Sequence, residues 1–447
     1  MTNSIDFRWT RREALKSAVA GTAIAALPRW FLESDGGRAF GQENSPNERP
    51  RVALIGCGGM GTVDATLAQR FGDVVAVCDV DQGHVERARD KFKGAKTYRD
   101  YREVCDLPGV DIVINGTPDH WHTLVNLRAV RSGKDVYSEK PLTLTIDEGK
   151  RLVAAVKKSG RVLQTGSQQR SDKTFRLACE LVRNGRLGKI ERVRVWLPMG
   201  LHEGPFAAQT PPAELDWDFW QGQTRPVDYM PERCHVKFRY WWDYSGGTLT
   251  DWGAHHNDIA LWGLGRDRSG PVSVEGERLV EPIAGGFTAA SQYRVKYVYD
   301  DGVEHFCNST SANGWAGAVL GEPGPGEKYH GVQFEGTEGW IYVTRGGKLE
   351  ASDRALVDEP LPADAERLYA SDDHMGNFFD CVRTRKAPIC DVEIGHRSVS
   401  VCHLGTIAVR MGRKLEWDPQ AESFKNDAEA NGMLAREMRK PYDYDEA

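Results

Sequence analysis

Residues 51 to 61 read Arg-Val-Ala-Leu-Ile-Gly-Cys-Gly-Gly-Met-Gly, a short apolar run that passes directly into a G-x-G-x-x-G. The run predicts a buried parallel strand over Arg51 to Ile55. In the loop, Gly56 permits a tight turn, Gly58 lets backbone N–H groups approach a pyrophosphate, and Gly61 lets the next helix pack close to the strand. Gly59 and Met60 complete the loop, and the pyrophosphate is expected at the N-terminus of a helix predicted over Thr62 to Phe71. A second apolar strand, Val74 to Val77, leads to Asp79, about 20 residues beyond Gly58, where dinucleotide-binding folds place the carboxylate that accepts the ribose 2′-hydroxyl. That carboxylate would repel a 2′-phosphate, so NAD is expected ahead of NADP.

Outward from this unit the alternation continues. Asp111 to Asn115 reads as a strand, followed by Thr117-Pro118-Asp119-His120-Trp121-His122, a helix from Thr123 to Ser132, and Asp135 to Leu142 with Glu139-Lys140-Pro141 inside it. Short apolar strands alternating with helices predict a doubly wound parallel sheet, with ligands at the carboxyl ends of its strands, where Pro118 and Lys140-Pro141 stand. The second half changes character. Val193 to Leu197, Tyr293 to Tyr299, Val303 to Asn308 and Val332 to Thr344 have strand composition, with Asp300-Asp301-Gly302 as a hairpin turn. His374 to Arg383 and Gly395 to Met411 have helical patterning. An open, mostly antiparallel sheet is expected here, one face near the site and the other free for contact between copies of the chain.

The 447 residues are 27% charged and 40% hydrophobic, which suits two globular domains and excludes disordered and fibrous classes. With 58 basic against 64 acidic residues, a net charge of -6 and no basic stripe, a nucleic-acid partner has nothing to hold. The nine cysteines contain no CxxC pair and read as buried thiols.

The N-terminus carries Thr10-Arg11-Arg12-Glu13-Ala14-Leu15-Lys16 and then an apolar run from Ala18 to Leu27, shorter than the about 20 residues a bilayer span requires. Together they resemble a twin-arginine export signal, with a small-residue cleavage point at Ala39-Phe40-Gly41. The expected organisation is a signal over 1–41, a linker over 42–50, a nucleotide-binding domain over 51–168, a second domain over 169–415 and a charged arm over 416–447. Export by the twin-arginine machinery to the periplasm carries proteins already folded, which suits a chain that collects its cofactor first. No stable membrane span is expected.

Six motifs occur together and in order: the loop at 56 to 61, Thr117-Pro118-Asp119-His120-Trp121-His122, Glu139-Lys140-Pro141, Gly166-Ser167-Gln168-Gln169-Arg170, Gly185-Arg186-Leu187-Gly188, and Asp251-Trp252-Gly253-Ala254-His255. In this combination the chain resembles the Gfo/Idh/MocA oxidoreductases over roughly residues 49 to 415. The resemblance implies an N-terminal Rossmann domain, a C-terminal α/β domain with a large open sheet, assembly into a homo-oligomer, and NAD(P)-linked redox chemistry on sugars or polyols. It assigns Lys140, Asp251 and His255 to the catalytic group, and Thr117, Pro118, His122, Glu139 and Lys140 to the cofactor's surroundings.

Chemistry gives those residue types their meaning. Oxidising a secondary alcohol sends a hydride from carbon while a proton leaves oxygen, so a base must stand within hydrogen-bond reach. Lysine and histidine both qualify. If Asp251 opens a helix running to Trp262, the four-residue spacing puts its carboxylate and the His255 imidazole on one face, where the acid can orient the ring. Aromatics cluster before this segment, and Trp241, Trp242 and Tyr244 are expected to stack on a sugar, with Arg170 and His256 as further substrate contacts. His120, His122, His255 and His256 lack metal-ligand spacing, so no metal is expected. Two other outcomes compete with simple dehydrogenation: cleavage of a glycoside through transient oxidation and elimination, and a non-catalytic NAD- or sugar-binding module.

Overall fold

A computed structural model describes residues 49–315, 318–320 and 328–445. The export signal over 1–41 and all but the end of the linker fall outside the described residues.

Six parallel strands form the first sheet: β1 (Arg51–Ile55), β2 (Asp73–Cys78), β3 (Lys96–Tyr98), β4 (Ile112–Asn115), β5 (Asp135–Ser138) and β6 (Leu163–Thr165). Their order, β3-β2-β1-β4-β5-β6, reverses direction between β1 and β4, which opens a crevice at the carboxyl ends of those two strands. Helices cover both faces, so β4 and β5 are buried along their whole length, with the one charge among them, Asp135, paired to Arg385.

Ten strands form the second sheet. β7 (Ile190–Met199), β8 (Ser273–Arg278), β9 (Tyr293–Val298), β10 (Glu304–Trp315), β11 (Ala318–Leu320), β12 (Gly331–Gly336), β13 (Gly339–Thr344), β14 (Lys348–Ala351), β15 (Leu415–Asp418) and β16 (Ser423–Phe424) pair antiparallel except for the central β7 and β10. The fold class expected from the sequence is therefore present: a parallel Rossmann sheet joined to an α/β lobe with a mostly antiparallel sheet. The run Val332 to Thr344, expected as one strand, is a hairpin instead. Gly336 and Gly339 pair at its turn, and Phe334 opposite Ile341 keeps the same face of both strands in the core.

Helices Lys173–Arg183, Gly253–Leu264 and Val392–Met411 pack over one face of the large sheet, around Val193, Val195, Trp262, Phe334 and Leu404. Val392–Met411 is the long connector: it packs on β8 of the second lobe and on helix Ile146–Ser159 of the first. Its start is fixed by Asp391, whose side chain accepts hydrogen bonds from the N–H groups of Glu393 and Ile394.

Two expectations need correction. The segment from 416 onward is no projecting arm. Leu415–Asp418 pairs with β8, and the chain then runs on to bond both lobes: Arg439 Nη1 bonds Asp218 Oδ1 of the second at 2.7 Å, and the Tyr444 hydroxyl bonds buried Glu148 of the first. Arg170 is not available to a substrate. Its Nε and Nη2 grip Asp258 at 2.7 and 2.8 Å, Nη2 also reaches Asp267 at 2.5 Å, and the guanidinium lies 5.0 Å over the Trp262 ring. A buried bidentate pair of this kind fixes the connection between the lobes, because neither charge can be left alone in the core. Arg170→Ala should therefore lower the unfolding free energy by about 3–5 kcal/mol in urea titrations, and joint replacement by Arg170→Met and Asp258→Leu should recover most of it.

Candidate active site

The first cavity lies at the crevice between β1 and β4. Its walls include Gly56, Gly58, Met60, Asp79, Thr117, Pro118 and Trp121. The helix after the glycine loop begins at Gly59, three residues earlier than expected, so its first free N–H groups belong to the loop itself. At Gly61 a Cβ would stand 2.1 Å from the Gly56 carbonyl oxygen, and at Gly56, with φ of +88°, it would meet the Gly116 backbone at 2.5 Å. Only glycine allows this closeness. Asp79 ends at the cavity edge, where its carboxylate accepts from Cys57 N at 2.7 Å and Asp81 N at 3.0 Å. A bare backbone turn, a helix N-terminus and a strand-end carboxylate fit a dinucleotide, with Asp79 toward the ribose.

His122 and Glu139 stand behind this wall. The His122 ring bridges Pro141 O at 2.7 Å and Thr117 O at 2.8 Å, tying two motif loops together without facing the cavity. Glu139 is buried beneath Lys140, accepting from its N–H at 3.2 Å and from Gln168 Nε2 at 3.0 Å. Burial raises its pKa, opposed by Lys140 and by Gln168, and neighbouring Asp64 is pushed well above the carboxylate range by its own burial and by Glu139.

A second cavity of about 590 Å³ adjoins the first and shares Met60, Val236 and Arg239 with it. Lys140, Asp251 and His255, expected together from sequence, do line it together. Lys140 reaches across from the end of β5, and its Nζ bonds the Asp251 carboxylate and, at 3.3 Å, the Asp251 carbonyl oxygen. Arg239 Nε approaches the same carboxylate at 3.3 Å. Burial alone would raise the Asp251 pKa, but these two cations outweigh it and hold the group well below the usual range. The carboxylate is thus spent on Lys140 and Arg239 and does not orient His255, as the four-residue spacing had suggested. The helical rod there is broken at Trp252 into Thr248–Asp251 and Gly253–Leu264. His255 is held neutral by burial and by the nearby charges of Lys140 and Arg345, and its Nδ1 has no hydrogen-bond partner among the described residues.

The aromatic residues expected to stack on substrate do other work. Trp241 is 1% exposed, donates to Glu232 O at 2.7 Å and lies under Arg233. Tyr244 packs between His120 and Trp220. Trp242 is sandwiched by Arg410 and Arg436 at 4.3 and 4.0 Å. His256 is buried between Gln169 and His330. The cavity wall is built instead from Trp252, Phe175, Gln168, Gln169, Asp172 and Arg345, with Arg239. Trp252, Gln168 and Gln169 lay within quoted motifs, whereas Arg239 and Arg345 had no sequence signal.

Asp81, His84 and His235 bring donor atoms within 4.8 Å of one another at the rim of the first cavity. Each ring faces a carboxylate at ion-pair distance, His84 to Asp79 at 3.4 Å and His235 to Asp81 at 3.3 Å, which accounts for the grouping without an ion.

Asp119 lies behind the site, fully buried against Ser245 Oγ at 2.6 Å. Burial raises its pKa to about 7, partly opposed by Arg239. Its folded pKa exceeds the unfolded one, so the folded state binds the extra proton and stability falls as pH rises from about 4 to 7. Asp119→Asn should remove a slope on the order of 1.4 kcal/mol per pH unit from unfolding curves taken across that range.

The two lobes define an NAD-binding oxidoreductase architecture, and comparison with known proteins agrees. Residues 50–167 match the profile "Oxidoreductase family, NAD-binding Rossmann fold" and residues 196–444 match "Oxidoreductase family, C-terminal alpha/beta domain". The chain belongs to the Gfo/Idh/MocA family of oxidoreductases.

Among relatives, the scyllo-inositol 2-dehydrogenase (NAD(+)) of Bacillus subtilis is 25% identical over 351 residues, 76% of this chain and 88% of that one. The myo-inositol 2-dehydrogenase of Thermotoga maritima is 30% identical over 147 residues, 32% of this chain and 44% of its own length. The fold is shared with the WlbA dehydrogenase of Bordetella pertussis in complex with NADH and UDP-GlcNAcA: TM-score 0.61, 20% identity, 83% of this chain and 99% of that one. The aldose-aldose oxidoreductase of Caulobacter crescentus gives a TM-score of 0.59 at 21% identity, over 82% and 99%. Asp79→Ala should weaken NAD binding by roughly 10- to 100-fold, the loss expected for hydrogen bonds to a charged group, and should narrow the NAD-to-NADP preference in fluorescence titrations.

Proposed function

We propose that the protein is an exported oxidoreductase acting on a secondary hydroxyl of a sugar, sugar derivative or polyol. The observation that carries this reading is the Lys140 ammonium on the Asp251 carboxylate beside a neutral His255, at the place where the nucleotide cavity meets the second one. A nicotinamide nucleotide held at Gly58, Asp79 and Pro118 would supply two-electron redox chemistry.

The chain's residues handle the oxygen. Lys140, fixed by Asp251, donates a hydrogen bond to the substrate hydroxyl and stabilises negative charge as it develops there. His255, uncharged and lining the same cavity, accepts the proton. Asp251 keeps Lys140 aimed into the cavity, and Arg239 holds Asp251.

NAD is scarce outside the cytoplasm, so in this reading it stays bound and is recycled as one substrate is oxidised and another reduced. The exposed face of the large sheet, with Arg194 on Glu335 and Lys296 on Glu304, is the surface proposed for self-association.

Lys140→Ala should reduce kcat by about 10²- to 10⁴-fold on a sugar and polyol panel while NAD remains bound, read from nicotinamide absorbance and from nucleotide released on denaturation. Unchanged turnover would remove Lys140 from the reaction. NADH released in proportion to product would overturn recycling, and cleavage of glycosides in the same panel would select transient oxidation with elimination.

A further inference from the structure

The second cavity holds three cations, and two of them are committed. Lys140 and Arg239 share Asp251. The third, Arg345, stands at the tip of the β13–β14 hairpin and has no carboxylate within ion-pair distance among the described residues. Its guanidinium is nonetheless held in place. Nε donates to Gln169 Oε1 at 3.1 Å, and the group lies 4.9 Å over the Trp252 ring.

Behind it runs a chain of neutral partners: Gln169 Nε2 to His256 Nδ1 at 3.3 Å, His256 Nε2 to His330 Nδ1 at 3.0 Å, and Thr344 Oγ1 to His330 Nδ1 at 3.1 Å. These links tie the hairpin that carries Arg345 to the helix that carries His255. A flexible surface arginine needs no such support, whereas one pre-positioned to bind an anion gains from it, because less side-chain freedom is lost on binding.

The cavity's own acids leave this charge unmatched. Asp172 is turned to its helix, accepting from Thr174 N at 2.8 Å and Phe175 N at 3.3 Å. Glu139 is buried beneath Lys140. We infer that Arg345 binds a carboxylate on the substrate, so that the sugar this site takes is an acid, such as a hexuronate, held through the outer N–H groups of Arg345 with its reacting hydroxyl at Lys140 and His255. A phosphate offers related oxygens, but its second charge would meet Asp172 with one uncommitted cation to balance it. The inference rests on the dehydrogenase reading of the site and names its substrate class.

The test uses the full chain loaded with nicotinamide nucleotide and matched substrates of one stereochemistry: a hexose, its uronate and its 6-phosphate. The uronate should exceed the hexose in kcat/KM by at least about 20-fold, the factor for a charge-assisted hydrogen-bond pair. Arg345→Gln should erase that advantage through KM, the uronate falling to the hexose value measured for the same variant, with Arg345→Lys in between. Equal rates for hexose and uronate, preference for the phosphate, or an Arg345→Gln variant that slows both sugars alike would overturn the proposal.

Calorimetric binding of the uronate to the NADH-loaded protein separates this inference from the function it rests on. Binding that is lost in Arg345→Gln, with no turnover of any sugar, supports the carboxylate site and rejects the dehydrogenase. Turnover of hexoses without a uronate preference does the reverse.

Discussion

The ion pair between Lys140 and Asp251 is the constraint on which the site is organised. Its two charges come from different lobes, one from the end of a parallel strand and the other from a single helical turn before Trp252. Neither could remain charged in that setting alone, since removing an ion from water is costly unless a partner and further hydrogen bonds replace the solvent. Arg239 adds a second cation to the same carboxylate, and with two of its three N–H groups on Asp251, Lys140 keeps one for the cavity that it lines. Joining the lobes and presenting a proton donor are consequences of one contact.

Around that contact the molecule separates rigid support from exposed chemistry. Arg170 with Asp258 and Asp267 lies outside the walls of the two site cavities, as does the bridging ring of His122, while Glu139 is buried at the floor of the second cavity beneath Lys140. These groups are charged or polar for the sake of position. Burial lowers the basicity of the site's histidines and raises that of its isolated acids, so Asp64, Glu139 and Asp119 move toward the neutral form while paired Asp251 moves the other way. The single strongly acidic carboxylate is the one that holds the lysine.

How far the sequence could be read follows from the same separation. The glycine loop, Asp79 and the strand-end Lys140 were legible because their chemistry is local: a turn that only glycine can make, a fixed spacing, a strand terminus. Asp251 and His255 were found as members of one cavity, yet their relation was misread, because four-residue spacing cannot show that Lys140 and Arg239 arrive from elsewhere to claim the carboxylate. Trp241, Trp242 and Tyr244 illustrate the opposite limit. An aromatic cluster looks alike in composition whether it meets a ligand, another ring or an arginine, and here Arg233, Arg410 and Arg436 cover two of the three. Arg345 was invisible for a plainer reason: a hairpin tip 205 residues downstream of Lys140 enters the cavity only through sheet register. The arm expected after residue 415 looked separate because its charge is high, although Arg439 bonds Asp218, Arg436 bonds the Trp242 carbonyl and the Leu434 carbonyl accepts from the Asp147 N–H.

That returning tail alters the mechanics of the nucleotide lobe. Tyr442 meets Trp121 edge-on at 5.6 Å from behind, and Trp121 is part of the nucleotide cavity's wall. The tail therefore acts as a buckle between lobes that the long helix already bridges. The tail and the long helix thus each join the two lobes, so the wall behind the nucleotide cavity is braced by segments far apart in the chain.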